Sequence, residues 1–141
     1  MSTNHAAFEE FFRDYAATSR DPSAERIAAF YAPSFIAGGP RGSAVFNNDA
    51  AFLDWLRNLH EFNERSGLVS VEVVSVAAPV RLSPRHALVS VEWGTRFRKT
   101  GDQLITFRIG YLMEGSGDAW KILAYISEED QSEVMREFDL V

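Results

Sequence analysis

The side chains that could do chemistry in this sequence are few and scattered. His5, His60 and His86 fall on separate predicted elements without a carboxylate at metal-ligating spacing, so no metal site is expected. Ser43 lacks the glycine pattern of a nucleophile elbow, and no histidine is placed to activate it. The sequence contains no cysteine, which excludes a thiol nucleophile and a disulfide framework.

Two side chains keep alternative interpretations. His60 lies four residues after Leu56 on the apolar stripe of a predicted helix, where it could act as acid or base, or simply be exposed near the helix end. Arg41 lies in a glycine-rich segment, where it could bind an anionic ligand or be an ordinary turn residue. The pair Gly38-Gly39 lacks the lysine and the following helix of a phosphate loop, and no cofactor is expected.

The elements that would position these residues change character after the first half of the chain. Roughly the first 65 residues space their apolar side chains as helices do, and roughly the last 70 alternate as strands do. Tyr31 belongs to the apolar stripe of the second predicted helix. The first predicted helix follows Thr3 or Asn4 and ends near Ser19. The second starts at Asp21-Pro22 and is stopped by Pro33. The third follows Asn47 or Asn48 and is terminated by Gly67.

Strands are predicted before the third helix and throughout the second half. A hairpin is expected within Phe35–Phe46, a bulge near Ala77-Ala-Pro79, and a short final helix over Asp130–Phe138. The four later strand candidates are Val69–Leu82, His86–Lys99, Leu104–Glu114 and Ala119–Ser127. This order predicts an α+β fold in which three N-terminal helices pack on a strongly curved antiparallel sheet and leave an apolar pocket.

Strand alternation predicts which side chains face the helices, because successive residues point to opposite faces of a sheet. Trp93 and Phe97 share the inner face with Phe107 and Tyr111 of the next strand, so this face is expected to be apolar, without titrating groups in its middle. The half-polar outer face is expected to form a homodimer interface. That face carries Glu92, Arg96, Arg98, Arg108 and Glu114.

Three segments carry a resemblance to a known superfamily. They are Ile27-Ala-Ala-Phe-Tyr-Ala-Pro-Ser-Phe-Ile36, Phe52-Leu-Asp-Trp-Leu56 and Tyr111-Leu-Met-Glu-Gly-Ser-Gly-Asp-Ala-Trp-Lys-Ile122. With the order of elements, they make the chain resemble the nuclear transport factor 2-like superfamily, which includes ketosteroid isomerase, scytalone dehydratase and SnoaL-like polyketide cyclases. The resemblance implies a cone-shaped, cystatin-like sheet packed on helices, an apolar pocket at its wide end, and frequent dimerisation through the outer sheet face. It implies no particular activity, because the fold hosts enzymes, binding modules and association domains.

Ketosteroid isomerisation is the most specific activity that the resemblance brings into consideration. It needs a carboxylate base and an oxyanion hole made of a tyrosine and a neutral aspartic acid. Alignment with that enzyme family places Tyr15 at the tyrosine, Gly39 at the base and Ile109 near the aspartic acid. Two of the three groups are missing, so steroid isomerisation is not expected.

Composition and charge narrow the remaining classes. The 141 residues fit a single domain, 1–141. The formal charge of −6 argues against a nucleic-acid partner. No apolar run reaches the roughly 18 residues that a membrane span needs, and the amino terminus shows no targeting pattern, so a cytoplasmic protein without membrane contact is expected.

Three functions of different classes stay open. The sequence favours binding of a small hydrophobic molecule in the pocket, because an aromatic wall poor in polar groups offers no proton transfer. The alternatives are an isomerase, dehydratase or cyclase with non-standard acid and base residues, and a dimeric interaction domain without a ligand. No catalytic residue is assigned. The expected ligand-lining residues are Tyr15, Tyr31, Trp55, His60, Trp93, Phe97, Phe107 and Tyr111.

Overall fold

Helices precede strands in the computed structural model, which describes residues 3–20, 23–116 and 119–138. Within these residues the helices are α1 (Thr3–Ala17), α2 (Ala24–Ala28), α3 (Ala50–Arg65) and α4 (Gln131–Glu137). The strands are β1 (Tyr31–Gly39), β2 (Gly42–Asn47), β3 (Leu68–Val76), β4 (Val80–Ser83), β5 (His86–Phe97), β6 (Ile105–Ser116) and β7 (Ala119–Ser127). The predicted α+β class is confirmed. None of the helices in the described part of the chain is long and apolar enough to cross a membrane.

The sheet is mixed rather than wholly antiparallel. Its strands lie in the order β2-β1-β7-β6-β5-β3, and β4 pairs with the first residues of β5. Strands β1 and β7 run parallel, whereas the other pairs are antiparallel, so the antiparallel prediction is wrong at one place. Alternation of apolar residues identifies a strand but not the direction of its neighbour, which explains the error. The curled sheet is open, with β2 at one edge and β3 and β4 at the other.

The second predicted helix is shorter than expected. It ends at Ala28, and Tyr31 begins β1 instead of continuing the helical stripe. Tyr31 pairs with Ile122 of β7, so a partner far along the chain overrides the local helical spacing. Pro33 lies inside β1 and is therefore not a helix stop. The strand tolerates a residue without an N–H there, because the register with β7 shifts at this point and no hydrogen bond from Pro33 is required.

The helix caps also differ from the predicted ones. Asp49, rather than Asn47 or Asn48, caps α3 by accepting a hydrogen bond from the amide of Phe52 at 3.1 Å. The Asn48 amide instead donates to the carbonyl of Ala28 at 2.8 Å and so ties α2 to the start of α3. Helix α2 is capped by Ser23, and the predicted cap at 21–22 lies outside the described residues. Helix α1 starts at Thr3, but the side chains of residues 3 and 4, the predicted caps, are outside the described part of the structure.

Two predicted strands end earlier than expected. The candidate over 69–82 is interrupted at 77–79, so the predicted bulge is a complete break between β3 and β4. The candidate that was to reach Lys99 ends at Phe97, because the chain turns into a 3-10 segment over Arg98–Thr100. The Arg98 amide donates to the carbonyl of Gly67 at 2.9 Å, next to the positive φ of 82° that terminates α3 as predicted. The predicted hairpin and final helix are present as β1–β2 and α4.

Burial confirms the predicted faces of β5 and β6. The outer face carries the charges: Glu92 lies opposite Arg108 in the ladder, and Arg96 pairs with Glu72 of β3. Their position outside the concave face leaves the inner face to apolar groups. The buried inner-face residues are Val89, Val91, Trp93, Phe97, Ile105, Phe107, Tyr111 and Met113.

Helices α1 and α4 cover different parts of this inner face. Phe8 and Phe12 of α1 are completely buried, and their rings lie 4.9 Å from Trp120 and 4.6 Å from Tyr111. Helix α4 packs instead on a second cluster that contains Phe97, Ile105 and Phe107. The concave space between these two regions, under α3 and the β1–β2 hairpin, is not filled.

Candidate ligand-binding cavity

A cavity of about 430 Å³ lies in this unfilled space. Its walls come from α3, the turn of the β1–β2 hairpin, strands β6 and β7, and the segment that leads into α4. We call it the tyrosine cavity, because all four tyrosines of the chain border it. Its main side-chain lining is Tyr15, Tyr31, Arg41, Trp55, Leu56, Leu59, Ile109, Tyr111, Tyr125, Ser127, Glu129, Asp130 and Gln131.

Hydrogen bonds connect most of the tyrosine hydroxyls. The hydroxyls of Tyr15 and Tyr31 lie 2.6 Å apart, and either can donate. The indole Nε1–H of Trp93 donates to the Tyr111 hydroxyl at 3.0 Å, so the proton of that hydroxyl stays available. The Tyr125 hydroxyl has no hydrogen-bond partner among the described residues, although its ring lies 6.3 Å from those of Tyr31 and Tyr111. Phenolic groups that can still donate or accept therefore border the cavity.

The tyrosine hydroxyls are neutral across the physiological pH range. Burial raises the pKa of Tyr15 to about 12, an effect that the hydrogen bond with Tyr31 only partly offsets. Burial also raises the pKa of Tyr31 and Tyr111 well above the ordinary value, with a further contribution from Tyr15 in each case. The pKa of Tyr125 is raised by burial as well. These groups are hydrogen-bonding partners rather than proton-exchanging ones near neutral pH.

The mouth of the cavity carries the charged groups. Arg41, at the tip of the hairpin, places its Nε 2.5 Å from the carboxylate of Asp130. The same carboxylate caps α4 by accepting hydrogen bonds from the amides of Ser132 and Glu133. Partial burial opposes ionisation of Asp130, but the bonds from the Glu133 amide and Arg41 outweigh it, so its pKa is lowered. Glu129 accepts a hydrogen bond from the backbone amide of Arg108 at 3.0 Å.

The structure brings only part of the predicted ligand-lining set together. Tyr15, Tyr31, Trp55 and Tyr111 border the tyrosine cavity. Trp93 is buried next to Tyr111 and Tyr15 and does not itself border the cavity. The remaining three residues lie elsewhere: Phe97 and Phe107 pack under α4, and His60 borders a different cavity.

The second cavity, of about 360 Å³, lies between α1, α3 and the start of β3. Tyr15, Leu56 and Leu59 border both cavities, so these three side chains lie between them. His60 faces this second space, with its Nε2 3.2 Å from the carboxylate of Glu64 one helical turn away. Its imidazole is 40% exposed, which fits the interpretation of His60 as an exposed residue on a helix.

The positions aligned with the catalytic groups of ketosteroid isomerase do converge. Tyr15, Gly39 and Ile109 all border the tyrosine cavity, as the alignment requires. Gly39 and Ile109 carry no titratable group, so neither a base nor an aspartic acid stands at these places. Within the described residues, no three histidine, aspartate or glutamate side chains are grouped so as to hold a metal ion.

Sequence reasoning missed Tyr125 because β7 contains a bulge. Ile122 is buried on the inner face, so strict alternation turns Tyr125 outward. The register with β6 shifts between Ile122 and Ala124, which pair with consecutive residues of β6 and leave Leu123 as the extra one. Beyond this point Tyr125 lies opposite Tyr111, and both border the cavity. No signal in the sequence marks the bulge.

An open curled sheet with helices on its concave face and a cavity beneath them defines the nuclear transport factor 2-like class, or NTF2-like class. Comparison with protein families agrees. The chain belongs to the family described as NTF2-like protein (DUF6841), whose model matches residues 4–130.

Solved structures of the same fold are similar to this chain at low identity. Aln2 from a Streptomyces species superimposes with a TM-score of 0.72, 9% identity, and coverage of 96% of this chain and 97% of that one. A cystatin-like domain of unknown function from Nostoc punctiforme gives a TM-score of 0.70, 13% identity, and coverage of 100% and 88%. A hypothetical protein from Catenulispora acidiphila with a ketosteroid isomerase-like fold was solved in complex with trimethylamine. It gives a TM-score of 0.56, 14% identity, and coverage of 94% of each chain. These likenesses show the fold alone, and no curated protein sequence matches the chain.

Proposed function

We propose that the protein binds a small, largely apolar molecule in the tyrosine cavity. The observation that carries this proposal is the cavity itself, whose volume of about 430 Å³ falls in the range of small-molecule sites. Aromatic and aliphatic side chains form most of its wall, and phenolic hydroxyls provide a few points for orienting a ligand. A core that had merely packed incompletely would not need polar groups placed around the same empty space.

A structural neighbour supports the proposal. The Catenulispora acidiphila protein was solved in complex with trimethylamine, a small amine with three methyl groups. A ligand that small fits easily within the volume found here. The low identity transfers no specificity, so the comparison supports small-molecule binding as a use of this fold.

Binding is favoured over acid–base catalysis by the same geometry. A general acid or base works best with a pKa near the operating pH. The tyrosines that line the cavity have raised pKa values, and His60 lies on the other side of Leu56 and Leu59. The two carboxylates stand at the mouth, where Asp130 is held in an ion pair and Glu129 accepts a hydrogen bond from the backbone amide of Arg108. These arrangements favour holding a ligand over moving its protons.

The proposal is tested by filling the cavity. Ile109→Phe adds an aromatic ring on the inner face of β6, and the matched control Ile36→Phe adds the same ring at a position that is 43% exposed and outside the cavity. The melting temperature of each protein is measured with a library of small apolar metabolites. A ligand at one hundred times its Kd stabilises the folded state by about 2.7 kcal/mol, which raises Tm by roughly 5–10 °C for a domain of this size.

We expect the wild type and Ile36→Phe to show such shifts with the same compounds, and Ile109→Phe to lose them while keeping its own Tm within a few degrees. Shifts that survive Ile109→Phe would place the binding site elsewhere. A complete lack of shifts in the wild type across a library of aromatic, terpenoid and amine compounds would instead favour the interaction-domain alternative.

A further inference from the structure

We propose that the ligand of the tyrosine cavity is an organic cation, a positively charged nitrogen that carries apolar substituents. This inference rests on the proposed function and names the class of molecule that the cavity accepts. Three features support it: an acidic side chain at the mouth that is not neutralised, an aromatic wall whose one bordering basic group, Arg41, is held in an ion pair, and an acidic surrounding surface.

The charges at the mouth do not cancel. The charged side chains that border the cavity are Arg41, Glu129 and Asp130. Arg41 and Asp130 neutralise one another in their ion pair. The Glu129 carboxylate accepts a hydrogen bond from the backbone amide of Arg108, and no basic side chain of the described residues forms an ion pair with it. The cavity therefore offers one unpaired carboxylate to its contents.

The wall of the cavity suits a cation better than an anion. Five aromatic side chains border it, and the electron-rich faces of such rings attract ammonium groups. Burial in this wall opposes a charge of either sign, so the preference for a cation comes from the ring faces rather than from the raised pKa values of the phenols. Burial raises the pKa of Tyr15, Tyr31, Tyr111 and Tyr125, and no neighbouring cation among the causes lowers any of them. Their hydroxyl oxygens can still accept a hydrogen bond from a protonated amine.

The surface around the mouth has the same sign. Residues 128–138, which lead into and form α4, include five acidic residues and one basic residue. The whole chain carries a formal charge of −6. A cavity mouth within such a segment raises the local concentration of cations and lowers that of anions.

The charge requirement is tested with two molecules of the same shape. Choline carries a quaternary nitrogen, and deazacholine is the neutral alcohol in which a carbon atom replaces that nitrogen. Their binding to the full chain is measured by isothermal titration calorimetry at low ionic strength. We expect choline to bind about tenfold more tightly than deazacholine, because only choline gains the attraction of the aromatic faces and the carboxylate.

A pair of variants assigns the effect to one side chain. Glu129→Gln removes the charge but keeps an oxygen that can accept from the Arg108 amide, and Glu128→Gln removes the same charge one residue away, outside the tyrosine cavity. We expect Glu129→Gln to raise the Kd of choline about fivefold to tenfold, and Glu128→Gln to change it less than twofold. Neither variant should alter the Kd of deazacholine.

Equal or tighter binding of deazacholine overturns the inference, as does an equal effect of the two glutamine variants, which would indicate a general surface potential. Failure of both molecules to bind also overturns it. The proposed function has its own test, because neutral compounds whose shifts vanish in Ile109→Phe would still establish the cavity as a binding site. If those shifts are absent too, both conclusions fail together.

Discussion

The hydrogen bond between Tyr15 and Tyr31 joins two phenols from different elements at 2.6 Å. It links the end of α1 to the start of β1, and the second phenol pair, Tyr111 and Tyr125, faces the same space from β6 and β7. A neutral hydrogen bond contributes about 1 kcal/mol to folding. The tyrosines therefore have a structural role as well as a place in the proposed site, and the two roles predict different measurements.

The raised pKa of Tyr15 predicts a loss of stability at alkaline pH. In the unfolded chain the phenol ionises near its ordinary value of 10, whereas in the folded protein it stays protonated up to about 12. The contribution of the Tyr15 hydroxyl to the free energy of unfolding is thus complete below pH 10 and is lost as the pH rises through 12. The unfolding free energies of the wild type and of Tyr15→Phe are measured by denaturant unfolding at pH 9 and at pH 11. The difference between the two proteins should be about 1 kcal/mol smaller at pH 11 than at pH 9.

Tyr125→Phe provides the control for this comparison. Because Tyr125 lies nearer the surface of the protein, the difference in unfolding free energy between Tyr125→Phe and the wild type should change less with pH. If the wild type and Tyr15→Phe instead keep a constant difference between pH 9 and pH 11, the Tyr15 hydroxyl is more accessible to water than the structure indicates.

At the scale of elements, α3 matters most to the cavity because it closes one side of it. Trp55, Leu56 and Leu59 project from its middle towards the tyrosine cavity, so their positions depend on where the helix begins. Asp49 sets that point by accepting the amide of Phe52, and Asn48 fixes the preceding turn against α2. Both contacts are polar, whereas the buried face of the helix is apolar.

Removing the cap should therefore weaken the helix. We expect Asp49→Ala to lower the free energy of unfolding by about 1 kcal/mol, since the N-terminal amide of Phe52 loses its partner. Asp54→Ala removes the same charge from an exposed position in α3, where the carboxylate only forms a surface ion pair with Arg57, and should change stability by less than about 0.5 kcal/mol. Urea denaturation measures both, and similar losses in the two variants would contradict the assigned cap.

At the scale of the whole molecule, the outer face of the sheet remains partly apolar. Leu88 is 43% exposed and lies opposite Leu112, which in turn lies opposite Ala124 of β7. A contiguous exposed apolar patch on a sheet is typical of a protein–protein interface. We propose that two copies of the chain pair through this face, as the resemblance to the superfamily also implies.

Self-association through this face is tested by a single charge. Leu88→Glu should convert a dimer to a monomer in light scattering, because two like charges would face each other near a two-fold axis. Asn58→Glu adds the same charge at an exposed position of α3, which packs on the opposite, concave side of the sheet, and should leave the mass unchanged. A wild type that is monomeric at the concentrations used for structural work would refute the dimer, and so would a Leu88→Glu protein that remains dimeric with an unchanged circular dichroism spectrum.

The sequence by itself determined the class of fold, the limits of most elements and the inner faces of β5 and β6. These properties follow from local periodicity: alternating apolar residues such as Val91, Trp93 and Phe107 bury one face of a strand wherever that strand is placed. The sequence also showed that Gly39 and Ile109 cannot supply the acid and base of a steroid isomerase, because this requires only the residue types at two positions.

Only the tertiary structure decided the composition of the cavity. Tyr31 became a strand residue by pairing with β7, Tyr125 turned inward at a bulge, and Arg41 met Asp130 at the far end of the chain. It also separated His60 from the tyrosines and moved Phe97 and Phe107 under α4. Each of these outcomes depends on register and on contacts between distant residues, and local spacing carries no information about either.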